Sequence, residues 1–226
     1  MRRFYSAFLL TYGYAGLIWA QSSPQYTPII NEPENLADTI ERLVRYHDFG
    51  QYDYQIRQVA NSAHDYLENR VKAGKADEKL AAVFDIDETA LSNWETMLDC
   101  GFCVYSAQVR LYPPPAHDPA ILPVLELFNF AKKNGIGVFF VTGRPEKQRA
   151  ATESNLREAG YSHWNELYMR PDGNNEPARV IKPRNRQQIM AKGYRIILNI
   201  GDQASDLAGC CAERVFKVPN PFYLVK

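Results

Sequence analysis

The sequence lacks an excess of charge of either sign. Its 226 residues hold 26 Lys and Arg against 26 Asp and Glu. Nucleic acids and anionic membranes are bound through an excess of basic residues. We therefore expect no nucleic acid polymer among the partners, although a local basic patch is compatible with these counts. Internal repeats and low-complexity tracts are absent as well, and the hydrophobic share of 46% is ordinary for a globular domain.

Two further absences exclude classes of enzyme. No Gly-x-Gly-x-x-Gly follows the first strand of the predicted core, which argues against a dinucleotide-binding enzyme. No arginine-histidine nucleophile motif is present either, which argues against a phosphohistidine enzyme. The histidines are therefore expected to be structural or on the surface: His47, His64, His117 and His163.

Cysteine is scarce. Cys100, Cys103, Cys210 and Cys211 allow three pairings, and the sequence does not choose among them. A bond between the adjacent Cys210 and Cys211 is awkward, so we expect a link from one of them to the Cys100 region, with reduced thiols as the alternative. Cys100-Gly-Phe-Cys103 has no second ligand pair of suitable spacing, so neither redox chemistry nor a zinc site is expected.

The N-terminus has the pattern of an export signal. Arg2 and Arg3 precede an uncharged, largely apolar stretch from Phe4 to Ala20, and polar residues follow. This order predicts a signal peptide over residues 1–20, an exposed leader over 21–34, and a secreted or periplasmic protein without stable membrane insertion after cleavage. An uncleaved anchor is the alternative, but the stretch is short and poor in Leu and Ile. No Cys follows it, so lipid anchoring is not expected.

The remainder, residues 35–226, is predicted to form one α/β domain. Helical spacing over Asn35–Tyr46 and Tyr52–Val71 indicates a helical prefix within 35–79. From residue 80 strands alternate with helices, which predicts a Rossmann-like parallel sheet flanked by helices. The first predicted strand lies at Val83–Asp85, within and just after the apolar run Leu80–Phe84. The other predicted strands lie at Ile136–Val141, Leu167–Met169, Arg195–Ile200 and Arg214–Val218, and the predicted helices at Pro119–Asn134, Pro145–Ala159 and Asn185–Lys192.

Polar clusters stand at the ends of these strands and before one helix. Ligands of such sheets bind at the carboxyl ends of the strands, so we expect the clusters to converge in one crevice. The candidate site residues are Asp85, Asp87, Thr142, Gly143, Arg144, Lys182, Asp202 and Asp206.

Each candidate residue has a matching chemical task. Asp85 is the predicted nucleophile, which forms an aspartyl-phosphate, and Asp87 protonates the leaving alkoxide and then takes a proton from water. The Thr142 hydroxyl and the Gly143 N–H donate to phosphate oxygens, and Lys182 balances the negative charge.

A magnesium ion completes the predicted site. Mg²⁺ prefers oxygen ligands, so Asp85 and Asp202, together with the backbone carbonyl of Asp87, are the predicted ligands. Asp206 is expected to brace either Lys182 or a metal-bound water. Arg144 is predicted to contact phosphate or substrate.

These motifs resemble the haloacid dehalogenase (HAD) superfamily. The resemblance is carried by Phe84-Asp-Ile-Asp-Glu-Thr89, Val141-Thr-Gly-Arg144, Ile181-Lys-Pro183 and Ile200-Gly-Asp-Gln-Ala-Ser-Asp206. It points to the secreted class B-type acid phosphatase branch (subfamily IIIB), which includes plant vegetative storage proteins and bacterial lipoprotein phosphatases. The resemblance implies a Rossmann-like fold, a Mg²⁺-dependent phosphomonoesterase and the residue roles given above.

The segment 92–118 is predicted to form a small lid or rim beside the crevice. Our hypothesis is that Trp94 or Tyr105 contributes to a preference for nucleotides, and the alternative is that these rings pack the lid onto the body.

The sequence therefore predicts a secreted acid phosphatase that hydrolyses small phosphate monoesters, with nucleoside 5′-monophosphates among the candidate substrates. A low-activity storage or binding protein of the same fold and a phosphotransferase are the alternatives. The natural substrate and the pH optimum stay open, and an oligomer is compatible with the sequence.

Overall fold

A five-stranded parallel sheet organises the part of the chain that the structure describes. The structure is a computed structural model, and it describes residues 33–74, 77–102 and 117–225. The strands are β1 (Leu80–Phe84), β2 (Gly137–Pro145), β3 (Glu166–Arg170), β4 (Arg195–Gly201) and β5 (Arg214–Lys217). They lie in the order β3-β2-β1-β4-β5, and every pairing is parallel. The predicted α/β class with a parallel sheet is confirmed. The predicted signal peptide and nearly all of the predicted leader lie outside the described residues.

Helices cover both faces of the sheet. They are α1 (Leu36–Asp48), α2 (Gln51–Lys72), α3 (Trp94–Asp99), α4 (Leu122–Lys133), α5 (Arg149–Glu158), α6 (Ala178–Ala191) and the short α7 (Ala204–Leu207). The Asn35 side chain accepts a hydrogen bond from the N–H of Ala37 and starts α1. Gly50, at φ +77°, separates α1 from α2. The predicted helical prefix is therefore confirmed.

Alternation along the strands divides the core into two layers. In β1, Ala82 and Phe84 belong to the larger cluster, which includes buried residues of α2 and α4. Ala81 and Val83 belong to the other cluster, together with Ile189 of α6. Successive side chains of a strand point to opposite faces, so a strand buried on both faces appears in the sequence as a continuous apolar run.

Several boundaries differ from the sequence prediction, and three of them bear on the site. β2 continues to Pro145 and therefore contains Thr142-Gly143-Arg144, which were expected to follow it. α4 begins at Leu122 instead of Pro119. α6 begins at Ala178 and contains Lys182, with Pro183 inside the helix. A proline inside a helix removes one backbone hydrogen bond, so local propensity disfavours a helix through Pro183.

Tertiary contacts of α6 offset that loss. The guanidinium of Arg186 donates to the carbonyl of Asp206 at 2.7 Å and to the carbonyl of Cys210 at 3.2 Å. These bonds connect α6 to α7 and to the residues after α7. They stabilise α6 and offset the cost of the proline within it.

The cysteines correct another expectation. Cys210 and Cys211 are bonded to each other, so the expected link to the Cys100 region is wrong. Cys211 adopts φ +91°, in the left-handed region of the backbone. Cys103 lies outside the described residues. Within the described ranges, no helix is both long and apolar enough to cross a membrane.

Candidate active site

The carboxyl ends of β1, β2 and β4 gather most of the predicted site residues. Asp85 follows β1 directly, and its N–H donates to the carbonyl of Ile200 in β4 at 3.0 Å. Asp202 follows β4, and Thr142 and Arg144 lie in the last part of β2. The neighbouring positions of β1, β2 and β4 in the sheet explain why residues so far apart in sequence meet here.

Lys182 joins two of the buried aspartates. Its Nζ lies 2.5 Å from Asp85 Oδ1 and 2.7 Å from Asp206 Oδ1, and all three side chains are buried. Burial alone would lower the pKa of Lys182, but the charges of Asp206 and Asp85 raise it above its ordinary value. The ammonium is therefore charged, and it offsets the negative charge of Asp85, the candidate nucleophile.

Three carboxylates form a cluster whose combined negative charge exceeds the single positive charge of Lys182. Asp85, Asp202 and Asp206 are buried and offer oxygens that all lie within 4.8 Å of one another. Burial and the charge of Asp206 raise the pKa of Asp85 well above its ordinary value. The same two causes raise the pKa of Asp202 to about 7. Without a further cation, these carboxylates repel one another in a site with little water.

A divalent cation fits this donor set. The cluster offers carboxylate oxygens only, which suits a hard cation. Its negative charge is larger than the positive charge that Lys182 supplies. Asp85 and Asp202, the two predicted side-chain ligands, belong to it. Asp87 does not, which agrees with a contribution through its backbone carbonyl instead of its side chain.

Gly201 makes room for this arrangement. A Cβ built on Gly201 would lie 2.6 Å from Cβ of Asp206 and 2.8 Å from its Oδ2. The Asp206 carboxylate, whose Oδ2 also accepts the N–H of Gln203 at 2.8 Å, could not keep its position beside any larger residue. The glycine before Asp202 is therefore required by packing at the site.

The Asp87 side chain is held by Arg144 and Asn93. Arg144 Nη2 donates to Asp87 Oδ1 at 2.6 Å and Nε donates at 3.0 Å, while Asn93 Nδ2 donates at 3.0 Å. Burial alone would raise the pKa of Asp87, but the charge and hydrogen bonds of Arg144 hold it below its ordinary value. Asp118 Oδ2 lies behind, 3.4 Å from Arg144 Nη2. The structure therefore places Arg144 against carboxylates, and its predicted phosphate contact stays a prediction.

Thr142 and Gly143, the residues predicted to bind phosphate, form hydrogen bonds within β2 and with the end of β3. Thr142 is buried, and its Oγ1 accepts the N–H of Arg144 at 3.1 Å. The carbonyl of Gly143 accepts from Arg170 Nε at 3.3 Å. A Cβ added to Gly143 would meet no heavy atom within 4 Å, so the surroundings of this glycine are open. Open space is what a backbone N–H needs if it is to approach a ligand closely.

Trp94 packs inside the fold. It is 6% exposed, and its ring stacks on His47 with centroids 3.7 Å apart. The ring of Phe222 lies 5.1 Å away. This is the packing role that the sequence left as the alternative to substrate contact. Tyr105 and most of the predicted lid lie outside the described residues, and the described part of the lid contains α3.

Sequence reasoning missed several residues around the site. Glu88 is fully buried at φ +50°, and burial followed by the charge of Asp87 raises its pKa to about 8. Asn93 connects Glu88 to Asp87, and Asp118 supports Arg144. Of these residues only Glu88 carried a signal, because it belongs to the quoted motif. The others are common polar residues, and only the fold brings them to the site.

Together, the fold and the site define an α/β protein with a buried cluster of aspartates around one lysine, an arrangement suited to chemistry on phosphate esters. Residues 26–226 match the profile of the HAD superfamily, subfamily IIIB (Acid phosphatase), and the chain belongs to this family. It is therefore a phosphomonoesterase of the acid phosphatase type.

Similar proteins agree with this assignment. Acid phosphatase 1 of Solanum lycopersicum is 34% identical over 198 residues, which cover 85% of this chain and 76% of that protein. Vegetative storage protein 2 of Arabidopsis thaliana is 32% identical over 179 residues, which cover 77% and 67%. The class C acid phosphatase from Bacillus anthracis with tungstate bound has a similar fold, with a TM-score of 0.69, 20% identity and coverage of 84% and 86%.

Proposed function

We propose that this acid phosphatase is an exported, Mg²⁺-dependent enzyme that hydrolyses small phosphate monoesters through an aspartyl-phosphate on Asp85. The observation that carries the proposal is the position of Asp85. Its carboxylate contacts the Lys182 ammonium at 2.5 Å and belongs to a buried cluster with Asp202 and Asp206. A carboxylate without a balancing charge would neutralise itself on burial and would be a poor nucleophile.

The reaction then follows from the residues. An Asp85 oxygen attacks phosphorus, and the bond from phosphorus to the alkoxide oxygen breaks. Asp87 donates a proton to that oxygen, and then removes one from the water that attacks the aspartyl-phosphate, which restores Asp85. Lys182 stays charged throughout and stabilises the phosphoryl oxygens. When bound, Mg²⁺ would supply further positive charge opposite these oxygens, with Asp85 and Asp202 as its ligands.

Arg144 fits the role proposed for Asp87. Hydrogen bonds from its Nε and Nη2 orient the Asp87 carboxylate. Arg144 and Asn93 hold the pKa of Asp87 below its ordinary value, which favours the carboxylate that takes a proton from water in the second step. The protonated form that the first step needs is a minor population, and it grows as the pH falls. This dependence predicts faster turnover in acid, as expected of an acid phosphatase.

The test is hydrolysis of p-nitrophenyl phosphate, with Mg²⁺ and after EDTA treatment. We expect EDTA to abolish activity and Mg²⁺ to restore it, and Asp85→Asn to reduce kcat by about a thousandfold or more. Asp172→Asn, an exposed aspartate after β3, serves as the matched control and should keep normal activity. Full turnover by a folded Asp85→Asn protein would refute the mechanism.

The same assay separates the alternatives. A vegetative storage protein among the relatives keeps the storage or binding alternative under consideration, and absence of turnover with Mg²⁺ would favour it. The retention of Asp85, Asp87, Lys182 and Asp202 argues for the enzyme. A phosphotransferase would transfer the phosphoryl group to an added alcohol, which product analysis detects. Nucleoside 5′-monophosphates belong in the substrate screen.

Export has its own test. The charged start at Arg2-Arg3 and the apolar stretch up to Ala20 support cleavage near that residue. The protein is expressed in a host that exports it, and the N-terminus of the exported protein is determined. We expect its N-terminal peptide to begin near Gln21. An intact N-terminus on the exported protein would contradict the proposal.

A further inference from the structure

The last residues of the described chain contact the candidate metal site. We call residues 219–225 the C-terminal strap. They follow β5 and Val218, whose N–H donates to the carbonyl of Gly201 at 3.1 Å. No sequence motif marked the strap as part of the site, yet it contacts the side chains of Asp202, Gln203 and Glu88.

Two side-chain amides hold one oxygen of Asp202. Asn220 Nδ2 donates to Asp202 Oδ2 at 2.7 Å, and Gln203 Nε2 donates to the same oxygen at 2.5 Å. The strap backbone orients both amides, since the Phe222 N–H donates to Asn220 Oδ1 at 2.9 Å and the Val225 N–H donates to Gln203 Oε1 at 3.0 Å. With its oxygen fixed in this way, each amide must present its NH₂ group to Asp202.

This pattern leaves the two oxygens of Asp202 in different surroundings. Oδ2 takes both amide bonds, whereas Oδ1 accepts a long hydrogen bond of 3.4 Å from Thr89. Hydrogen bonds to a ligating carboxylate set its orientation and are part of how a protein tunes metal affinity.

The strap also reaches the loop on the other side of the site. The Tyr223 hydroxyl donates to the Glu88 carboxylate, which in turn accepts the N–H of Asn93 at 2.7 Å. Phe222 anchors the strap in the core, because its ring lies 5.1 Å from the rings of both Tyr52 and Trp94. The strap is thus fixed to the body of the protein and to the loop that carries Asp87.

We propose that the C-terminal strap is a positioning element of the metal site, in which Asn220 fixes the Asp202 carboxylate and Tyr223 fixes the loop at Glu88. This inference rests on the proposed Mg²⁺ dependence. Its prediction is specific: removal of the Asn220 amide weakens Mg²⁺ binding while the fold remains intact.

The experiment measures Mg²⁺ binding by titration calorimetry on the metal-free full chain. We expect Asn220→Ala to weaken Mg²⁺ binding by about 10-fold to 100-fold. Excess Mg²⁺ should restore most of kcat, which it would not do after a general loss of structure. Leu224→Ala changes an exposed strap residue, 65% accessible, and serves as the matched control with an unchanged dissociation constant.

The outcomes separate this inference from the proposed function. If the wild-type protein binds no Mg²⁺, the proposed function and this inference both fail. If the wild-type protein binds Mg²⁺ and folded Asn220→Ala binds it equally well, the inference fails and the proposed function stands. Were Asn220→Ala to unfold, Tyr223→Phe would decide, because it removes one hydroxyl and keeps the ring. Weaker binding by Tyr223→Phe supports the strap, and unchanged binding overturns it.

Discussion

Replacing Lys182 by Met tests whether the buried ammonium holds the acidic cluster together. The change keeps the length of the side chain and removes its charge. Asp85 and Asp206, which lie 2.5 and 2.7 Å from Nζ, then lose their ion-pair partner inside the protein. Breaking a buried pair by removal of one partner typically reduces the free energy of unfolding by about 3–5 kcal/mol.

For a domain of this size that loss corresponds to a fall in Tm of about 6–20 °C. The assay is thermal unfolding in EDTA, with and without added Mg²⁺. The fall should be larger at pH 8 than at pH 5. The pKa of Asp85 already lies above its ordinary value because of burial, and loss of Lys182 raises it further. A carboxyl group of this kind destabilises the fold as it ionises, so the penalty grows with pH.

Lys192→Met is the matched control. Lys192 follows α6 and pairs with Glu166 at the surface, where its side chain is 47% exposed, so its loss should change stability by about 0–1 kcal/mol. Asp85→Asn added to Lys182→Met should recover part of the lost stability. The reasoning would be refuted if Lys182→Met were as stable as Lys192→Met at pH 8.

Three further predictions concern pH. The pKa of Glu213 is lowered to about 2, chiefly because Arg70 donates a hydrogen bond to its carboxylate. The stabilisation that Glu213 contributes is therefore present at pH values above its ordinary pKa and is lost as the pH falls towards 2. Glu213→Gln should therefore lower stability by about 1 kcal/mol at pH 7 and leave it unchanged near pH 2, as urea titrations would show. The pKa of Asp202 is raised to about 7, so ionisation of this group destabilises the metal-free protein. We expect the Tm of the metal-free protein to fall between pH 5 and 8, and Asp202→Asn to reduce this fall. Equal falls in the two proteins would contradict the prediction. Arg144→Met should raise the pKa of Asp87 and move the high-pH limb of kcat/KM to higher pH; an unmoved limb would contradict that role.

The sequence predicted the elements whose signals are local. The strands buried on both faces appear as apolar runs, as in Leu80–Phe84, and helical spacing marks α1 and α2 closely. Because parallel strands end at one edge, the order of the polar clusters was enough to predict that Asp85 and Asp202 meet.

Other features depend on contacts that no local pattern encodes. α6 tolerates Pro183 because Arg186 ties it to carbonyl groups of distant residues. Arg144 is buried beside Asp87 and Asp118, two carboxylate partners that its motif did not indicate. The roles of such residues follow only from the fold.

The strap shows the same limit at the site itself. Asn220 and Tyr223 stand far from the motifs in sequence, and the return of the chain after β5 brings them to Asp202 and Glu88. A pattern search based on charged or metal-binding residues does not select an asparagine or a tyrosine near a C-terminus.

Chemical-quench capture of the phosphorylated enzyme tests the central claim most directly. The wild-type protein and Asp87→Asn are mixed with p-nitrophenyl phosphate and Mg²⁺, quenched in acid, and mapped by mass spectrometry. This substrate has a good leaving group, so Asp87→Asn should slow hydrolysis of the intermediate more than its formation, and the phosphorylated form should accumulate. The account predicts phosphate on Asp85 in both proteins, with more in Asp87→Asn. Phosphate on another residue, or turnover without any phosphorylated peptide, would contradict it.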